Sequence, residues 1–273
     1  MTTEPILSVR DLSVRFGGLK ALDRVSLDVP RQRLTALIGP NGAGKSTLLN
    51  AVSGFCRPAA GTVIFRGQDI SRIPPHHAVR VGMARTFQDL EVMQRLTVTE
   101  NVLLGYGNQP AERLTRLFFT PLRTRRAHRA TVQKTVDILA RVGLLDRADS
   151  LASELSYGEQ KLLTVARLLA TDAELLMFDE PGAGLPAENL HQIGTLLREM
   201  VAEGRTVVLV DHNMDLVMSY ADEITVLHHG QVIARGTPQE VRSDPSVIDV
   251  YFSRSKDSTA VPAGPEGGED GAA

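Results

Sequence analysis

The residues Gly39-Pro40-Asn41-Gly42-Ala43-Gly44-Lys45-Ser46 follow the spacing G-x-x-x-x-G-K-[ST]. Glycines at these places let the backbone turn tightly and aim successive N–H groups at one point, a cradle for a polyphosphate. A helix starting near Lys45 adds its own N-terminal donors. Lys45 supplies a point charge for β- and γ-phosphates, Ser46 has a hydroxyl suited to Mg²⁺, and Thr47 follows in the same turn. An ordinary glycine turn is the plainer alternative, but the strand-like run before it and the helix-like run after it are the context a phosphate loop requires. A second element, Leu175-Leu176-Met177-Phe178-Asp179-Glu180, reads as an apolar strand that ends in two carboxylates. In open α/β sheets that strand end is where ligands bind. Asp179 is suited to hold Mg²⁺, directly or through water, and Glu180 to orient and deprotonate an attacking water. A strand capped by acidic loop residues is the alternative, and the phosphate loop in the same chain weighs against it.

These groups need a scaffold, and the patterning supplies one. Strand-like runs cover residues 6–16, 22–29 and 33–38, with Leu12, Val14 and Phe16 alternating with polar neighbours. A helix is expected over 45–54 and a strand over 62–66. From about 97 to 170 the periodicity is helical, and Val132, Thr135, Val136, Leu139 and Val142 fall on one predicted face. Strand and helix then alternate over 175–178, 187–203, 206–210 and 214–220, the pattern of a parallel sheet with crossover helices. A hairpin is expected over 223–228 and 231–235, turning at His229-Gly230. The end, 253–273, is rich in Ser, Gly, Pro, Glu and Ala and is expected to be disordered.

The bulk properties limit the function. A chain of 273 residues with 42% hydrophobic content can bury a sizeable α/β core. Its formal charge of −2 gives no reason to expect a nucleic-acid partner. The single cysteine, Cys56, allows no internal disulfide and no cysteine-built metal site, which suits a reducing compartment. The first residues show no signal-peptide pattern, and the most apolar window, 162–178, is broken by Thr164, Arg167, Asp172 and Glu174. Work at a membrane would therefore go through other chains. His76, His77, His128, His191, His228 and His229 show no metal-ligand spacing and are expected at the surface or in turns.

Further residues make a family resemblance specific. Leu155-Ser156-Tyr157-Gly158-Glu159-Gln160 resembles the signature motif of ABC ATPases, with Tyr157 where Gly is commoner. Gln88 in Arg85-Thr86-Phe87-Gln88 is similar to their Q-loop glutamine, and His212 in Val210-Asp211-His212-Asn213 to their switch histidine. Phe16 resembles the aromatic that stacks on adenine. The resemblance covers roughly residues 6–252. It implies a P-loop NTPase cassette with a RecA-like α/β core, an N-terminal antiparallel β-subdomain and an inserted α-helical subdomain. On this pattern, 1–96 holds the β-subdomain and the first part of the core, 97–170 the helical subdomain, 171–252 the rest of the core, and 253–273 the tail.

The resemblance further implies ATP and Mg²⁺ as ligands and two cassettes closing head to tail over two nucleotides. Nucleotide contacts would come from Phe16, residues 39–47 and Gln88, with Ser156 and Gly158 acting across the dimer. Lys45, Glu180 and His212 would be catalytic, and Ser46, Gln88 and Asp179 would hold the metal. The expected partners are a second cassette, membrane-spanning permease subunits and an extracytoplasmic substrate-binding protein, with the chain peripheral on the cytoplasmic face of the plasma membrane. One departure stands out. Where the family commonly has an Ala-Leu-Asp type loop, this chain reads Ala183-Gly184-Leu185-Pro186, so the contact across the dimer must differ.

Within the family, the RTFQ stretch, residues 96–102, the LSYGEQ signature, Gly236-Thr237-Pro238 and the ending 244–251 resemble the ATPases of branched-chain amino acid uptake. ATPases of urea, amide and lipopolysaccharide transport look similar, and the cargo is chosen by other subunits. The basic stretch 123–129 fits either a solvated helix face or a contact with anionic headgroups. A non-transport ABC ATPase acting on ribosomes or DNA is opposed by the single phosphate loop and the lack of sustained heptads. A small-molecule P-loop kinase leaves the signature and His212 unexplained. A nucleotide binder without turnover remains open if Glu180 is inactive.

Overall fold

The computed structural model describes residues 4–87, 92–106 and 121–252, with backbone alone at 121–129 and 251–252. Gln88, the expected tail at 253–273 and most of the insert before residue 121 lie outside the described residues. Strands β1 (Leu7–Phe16) and β2 (Leu19–Val29) form an antiparallel hairpin. With β4 (Ala60–Phe65) and β5 (Gln68–Asp69) they make a four-stranded sheet in the order β2-β1-β4-β5. Leu12 and Val14 are buried as the alternation along β1 predicts, but Ser13 between them is buried as well, and Phe16 is 53% exposed. Register shifts between Leu12 and Val14 and between Val14 and Arg15 turn the strand end outward, as bulges do.

The second sheet has six strands in the order β10-β9-β3-β8-β7-β6. Here β3 is Leu34–Ile38, β6 Met83–Arg85, β7 Leu175–Asp179, β8 Thr206–Val210, β9 Glu223–His228 and β10 Gln231–Gly236. All pairings are parallel except the β9–β10 hairpin. Strands β3, β7 and β8 are buried along their whole length, which is why their sequences are continuous apolar runs. Successive residues feed opposite cores. Leu175 and Met177 pack with Leu48, Leu49 and the β1–β2 hairpin, whereas Leu176 and Phe178 pack with helical side chains such as Leu163 and Ile193.

The helices are α1 (Lys45–Val52), α2 (Pro75–Val81), α3 (Val98–Leu103), α4 (Pro121–Arg141), α5 (Tyr157–Leu169), α6 (Ala187–Ala202), α7 (Met214–Tyr220), α8 (Pro238–Ser243) and α9 (Pro245–Phe252). The helical stretch expected from 97 to 170 is broken between α4 and α5. Gly143 takes φ +72°, two single 3₁₀ turns follow, and Thr97 bridges to Leu151. Along α4 the buried stripe is Thr135, Ile138, Leu139 and Val142, and Val136 lies at its exposed edge. That i, i+3, i+4, i+7 row keeps Thr135, Leu139 and Val142 of the predicted face and takes Ile138 in place of Val136. No helix among the described residues is long and apolar enough to cross a membrane.

Candidate nucleotide site

Strands β3 and β7 flank β8, so their C-terminal ends carry the glycine-rich loop and the Asp179-Glu180 pair to the same edge of the sheet. The loop is pressed against the β9–β10 hairpin. A Cβ on Gly39 would sit 2.0 Å from the Leu227 carbonyl oxygen, and the Gly230 amide donates to the Ala43 carbonyl at 2.9 Å. Gly44, at φ +105°, starts α1 without a side-chain cap, which leaves the first amides of that helix open to a ligand. Lys45 is buried beneath the loop, and its Nζ donates to the carbonyls of Gly39 at 2.8 Å and Pro40 at 3.2 Å. Burial lowers its pKa from the usual lysine value, while the charges of Glu180 and Asp179 act in the opposite direction. Gly39→Ala is expected to lower the melting temperature and abolish nucleotide binding, because neither the hairpin backbone nor the loop can retreat; a thermal melt of the variant checks this.

A cleft of about 530 Å³ opens over the loop. Phe16, Leu19, Lys20 and Ala21 of the first hairpin line it, with residues 41–47, Glu180, His229 and Gly230. An exposed aromatic ring thus shares a cleft with the amide cradle and a carboxylate. The sequence places His229 only at the surface or in a turn. It does sit in the turn, where its φ of +46° and that of Gly230, +73°, match the mirror-image turn that suits twisted hairpins. That turn also places it on the cleft wall.

Asp179 is 3% exposed, and its Oδ2 lies 3.1 Å from the Arg85 guanidinium. Its amide donates to Thr86 Oγ1 at 3.0 Å. Burial raises the Asp179 pKa above the usual carboxylate value; the Arg85 charge opposes this, Glu180 adds to it and Lys45 opposes it. Among the described residues its buried Oδ1 has no hydrogen-bond partner. An orphaned carboxylate oxygen beside a phosphate cradle, with Ser46 at the head of α1, suits a hard, oxygen-seeking cation such as Mg²⁺.

Glu180 adopts φ +50°, a left-handed conformation that costs a non-glycine residue roughly 1–3 kcal/mol. Backbone contacts hold it there: its amide donates to the Val210 carbonyl at 2.7 Å, and its carbonyl accepts from Lys161 Nζ at 2.9 Å and from the Ala183 amide at 3.3 Å. Its carboxylate Oε1 is 3.8 Å from Nδ1 of His212, a side chain that is 60% exposed. Asp211, wholly buried, accepts from the amides of Gly182 at 3.1 Å and Asn213 at 2.9 Å. It clamps together the turns that follow Glu180 and His212, a role that its position before the histidine did not reveal.

The signature residues stand apart from this cleft. Ser156 caps α5 in a reciprocal box with Glu159: the Ser156 amide donates to Glu159 Oε2 at 2.8 Å, and Ser156 Oγ accepts from the Glu159 amide at 3.3 Å. The Ser156 proton is therefore still available to donate. Neither Ser156 nor Gly158 lines the cleft that holds the phosphate loop.

The parallel sheet, the amide cradle and the paired carboxylates at one sheet edge define a P-loop nucleoside-triphosphatase. Residues 22–183 match the family model described as ABC transporter, and residues 231–252 match that of the branched-chain amino acid ATP-binding cassette transporter. The high-affinity branched-chain amino acid transport ATP-binding protein LivG of Escherichia coli K12 is 39% identical over 93% of this chain and all of its own length. BraF of Pseudomonas aeruginosa PAO1, a protein of the same description, is 37% identical over 93% of this chain and all of its own length. Among solved structures, the ADP conformation of MJ1267, an ATP-binding cassette of an ABC transporter, has a TM-score of 0.78 at 35% identity. That match covers 91% of this chain and 99% of MJ1267. The chain belongs to the ATP-binding cassette family of ABC transporters and is an ATPase.

Proposed function

We propose that this chain binds MgATP in the cleft between Phe16 and Glu180 and drives branched-chain amino acid uptake by cycling between open and closed cassette pairs. The observation that carries the ATPase mechanism is one cleft lined by an exposed aromatic, a phosphate loop and a strained carboxylate. Phe16 stacks on the adenine. The amides of residues 41–47 bind the phosphates, and Lys45 turns its ammonium from the Gly39 and Pro40 carbonyls toward the β- and γ-phosphate oxygens. Ser46, Gln88 and the Asp179 carboxylate, whose Oδ1 has no partner among the described residues, would hold Mg²⁺. When bound, Mg²⁺ neutralises charge on the β- and γ-phosphate oxygens. Glu180 takes the proton of the attacking water, whose oxygen bonds to the γ-phosphorus as the bond to the β-phosphate oxygen breaks, giving ADP and phosphate. His212 contacts the γ-phosphate from its exposed position beside Glu180.

Ser156 and Gly158 sit outside this cleft, which fits their acting on the nucleotide of a second cassette. Hydrolysis then removes the charge that holds the pair closed. A groove of about 390 Å³ lies on the helical side, walled by residues that include Phe55, Val79 and Leu104, three exposed apolar side chains. It accommodates a segment of a membrane-spanning permease subunit, adjoining Phe87, the residue before Gln88. The chain works from the cytoplasmic face of the membrane, with a substrate-binding protein on the far side. The cargo follows from the match at 231–252 and from the named activities of LivG and BraF.

Phe16→Ala is expected to weaken ATP binding about 2- to 12-fold, the usual worth of an aromatic pair, with little change in fold; titration of a fluorescent ATP analogue measures it. The cargo is tested by reconstituting the chain with its membrane subunits and receptor in liposomes. ATP-driven accumulation of labelled leucine supports the assignment, and accumulation of urea or an amide in its place redirects it.

A further inference from the structure

Arg85 lies at the end of β6, half-buried as a residue but with its side chain only 6% exposed, and its guanidinium sits between two sites that the mechanism treats separately. One edge meets the Oδ2 of Asp179 at 3.1 Å. Another nitrogen donates to Asn50 Oδ1 at 2.8 Å and Ser53 Oγ at 3.0 Å, at the C-terminal end of the helix that begins with Lys45 and Ser46. Its face rests against Phe87 at 4.6 Å and Phe55 at 5.8 Å, two rings packed edge to face that line the apolar groove. One planar cation therefore touches the candidate metal carboxylate, the end of the phosphate-loop helix and the lining of the groove.

We propose that Arg85 is a positioning residue that holds Asp179 with Oδ1 facing the metal and joins that geometry to the aromatic wall of the groove. The inference rests on the assignment of Asp179 to Mg²⁺ and extends it. A lysine in this place would keep the charge but not the fork. Only a guanidinium can bond Asp179 along one edge and Asn50 along another while stacking on Phe87. Movement of Phe55 and Phe87, as a bound segment would cause, then acts on the Asp179 carboxylate through the planar guanidinium they share and not through the length of the sheet.

The test is calorimetric titration of ATP, once with Mg²⁺ and once with EDTA. Arg85→Met is expected to lower affinity roughly 10- to 100-fold with Mg²⁺, the range seen when a partner of a metal ligand is removed, and to leave affinity in EDTA unchanged. Arg85→Lys should recover part of the loss. Asn50→Ala and Phe87→Leu, which keep the buried ion pair, should show the same Mg²⁺-selective loss at smaller size, and they carry the test if Arg85→Met does not fold. Equal losses with and without Mg²⁺, or no loss, would overturn the positioning role. An unchanged Phe87→Leu would overturn the link to the groove. Asp179→Asn separates the two levels. If it shows no Mg²⁺-selective loss, the metal assignment itself fails; if it does while the Arg85 and Asn50 variants do not, only the present inference fails.

Discussion

Glu180→Gln is expected to bind ATP as the unaltered chain does and to hydrolyse it roughly 10²- to 10⁴-fold more slowly, the usual contribution of a general base. The amide keeps the shape of the side chain, so the left-handed backbone at this position and its contacts to Val210 and Lys161 persist. What is lost is the acceptor for the water proton. Single-turnover kinetics with bound ATP isolates the chemical step from product release. Turnover within a few-fold of the original would remove Glu180 from the mechanism and leave its strained conformation without a function.

Lys45→Met is expected to lower ATP affinity roughly 10- to 150-fold, the equivalent of losing about 1.5–3 kcal/mol of charge-assisted hydrogen bonding. Methionine keeps the length and apolar stem of the side chain, so the buried channel beneath the loop stays filled. The Gly39 and Pro40 carbonyls lose their donor. The loop is still pinned by the Gly230 amide on Ala43, so the fold should persist. Calorimetric titration together with a thermal melt distinguishes the outcomes. Unchanged affinity would mean that the ammonium does not meet phosphate, and a collapsed fold would make Lys45 a structural clamp.

Both variants concern residues that were legible from the chain alone, for a physical reason. The phosphate loop is a local device: its turn, its donors and its helix lie within a few consecutive residues, so type and spacing carry nearly all the information. The same holds for the apolar run that ends in Asp179 and Glu180. The parallel strands were readable because burial on both faces forces unbroken apolar sequence, and the hairpin at His229-Gly230 because its turn demands positive φ at both positions.

Arrangements assembled from distant segments were not readable. Arg85 and Asp179 pair across 94 positions of sequence, and the strand that delivers Arg85 is three residues long, too short to show alternation. Asp211 works through two backbone amides, a partnership that depends on how two loops meet. The exposure of Phe16 depends on register shifts in β1, which alternation of residue types cannot register. The interruption between α4 and α5 hid behind apolar spacing that suits a helix and a run of 3₁₀ turns equally well.

If ATP bound in this cleft drives membrane partners, those partners can be captured with the nucleotide in place. The Glu180→Gln chain, tagged and loaded with MgATP, would be purified from detergent-solubilised membranes beside a sample loaded with ADP, and the associated proteins identified. Multi-helix permease subunits are expected, in an amount that differs between the two nucleotides. Ribosomal or DNA-bound complexes in their place, or membrane subunits absent under both conditions, would contradict the coupling of ATP to membrane partners.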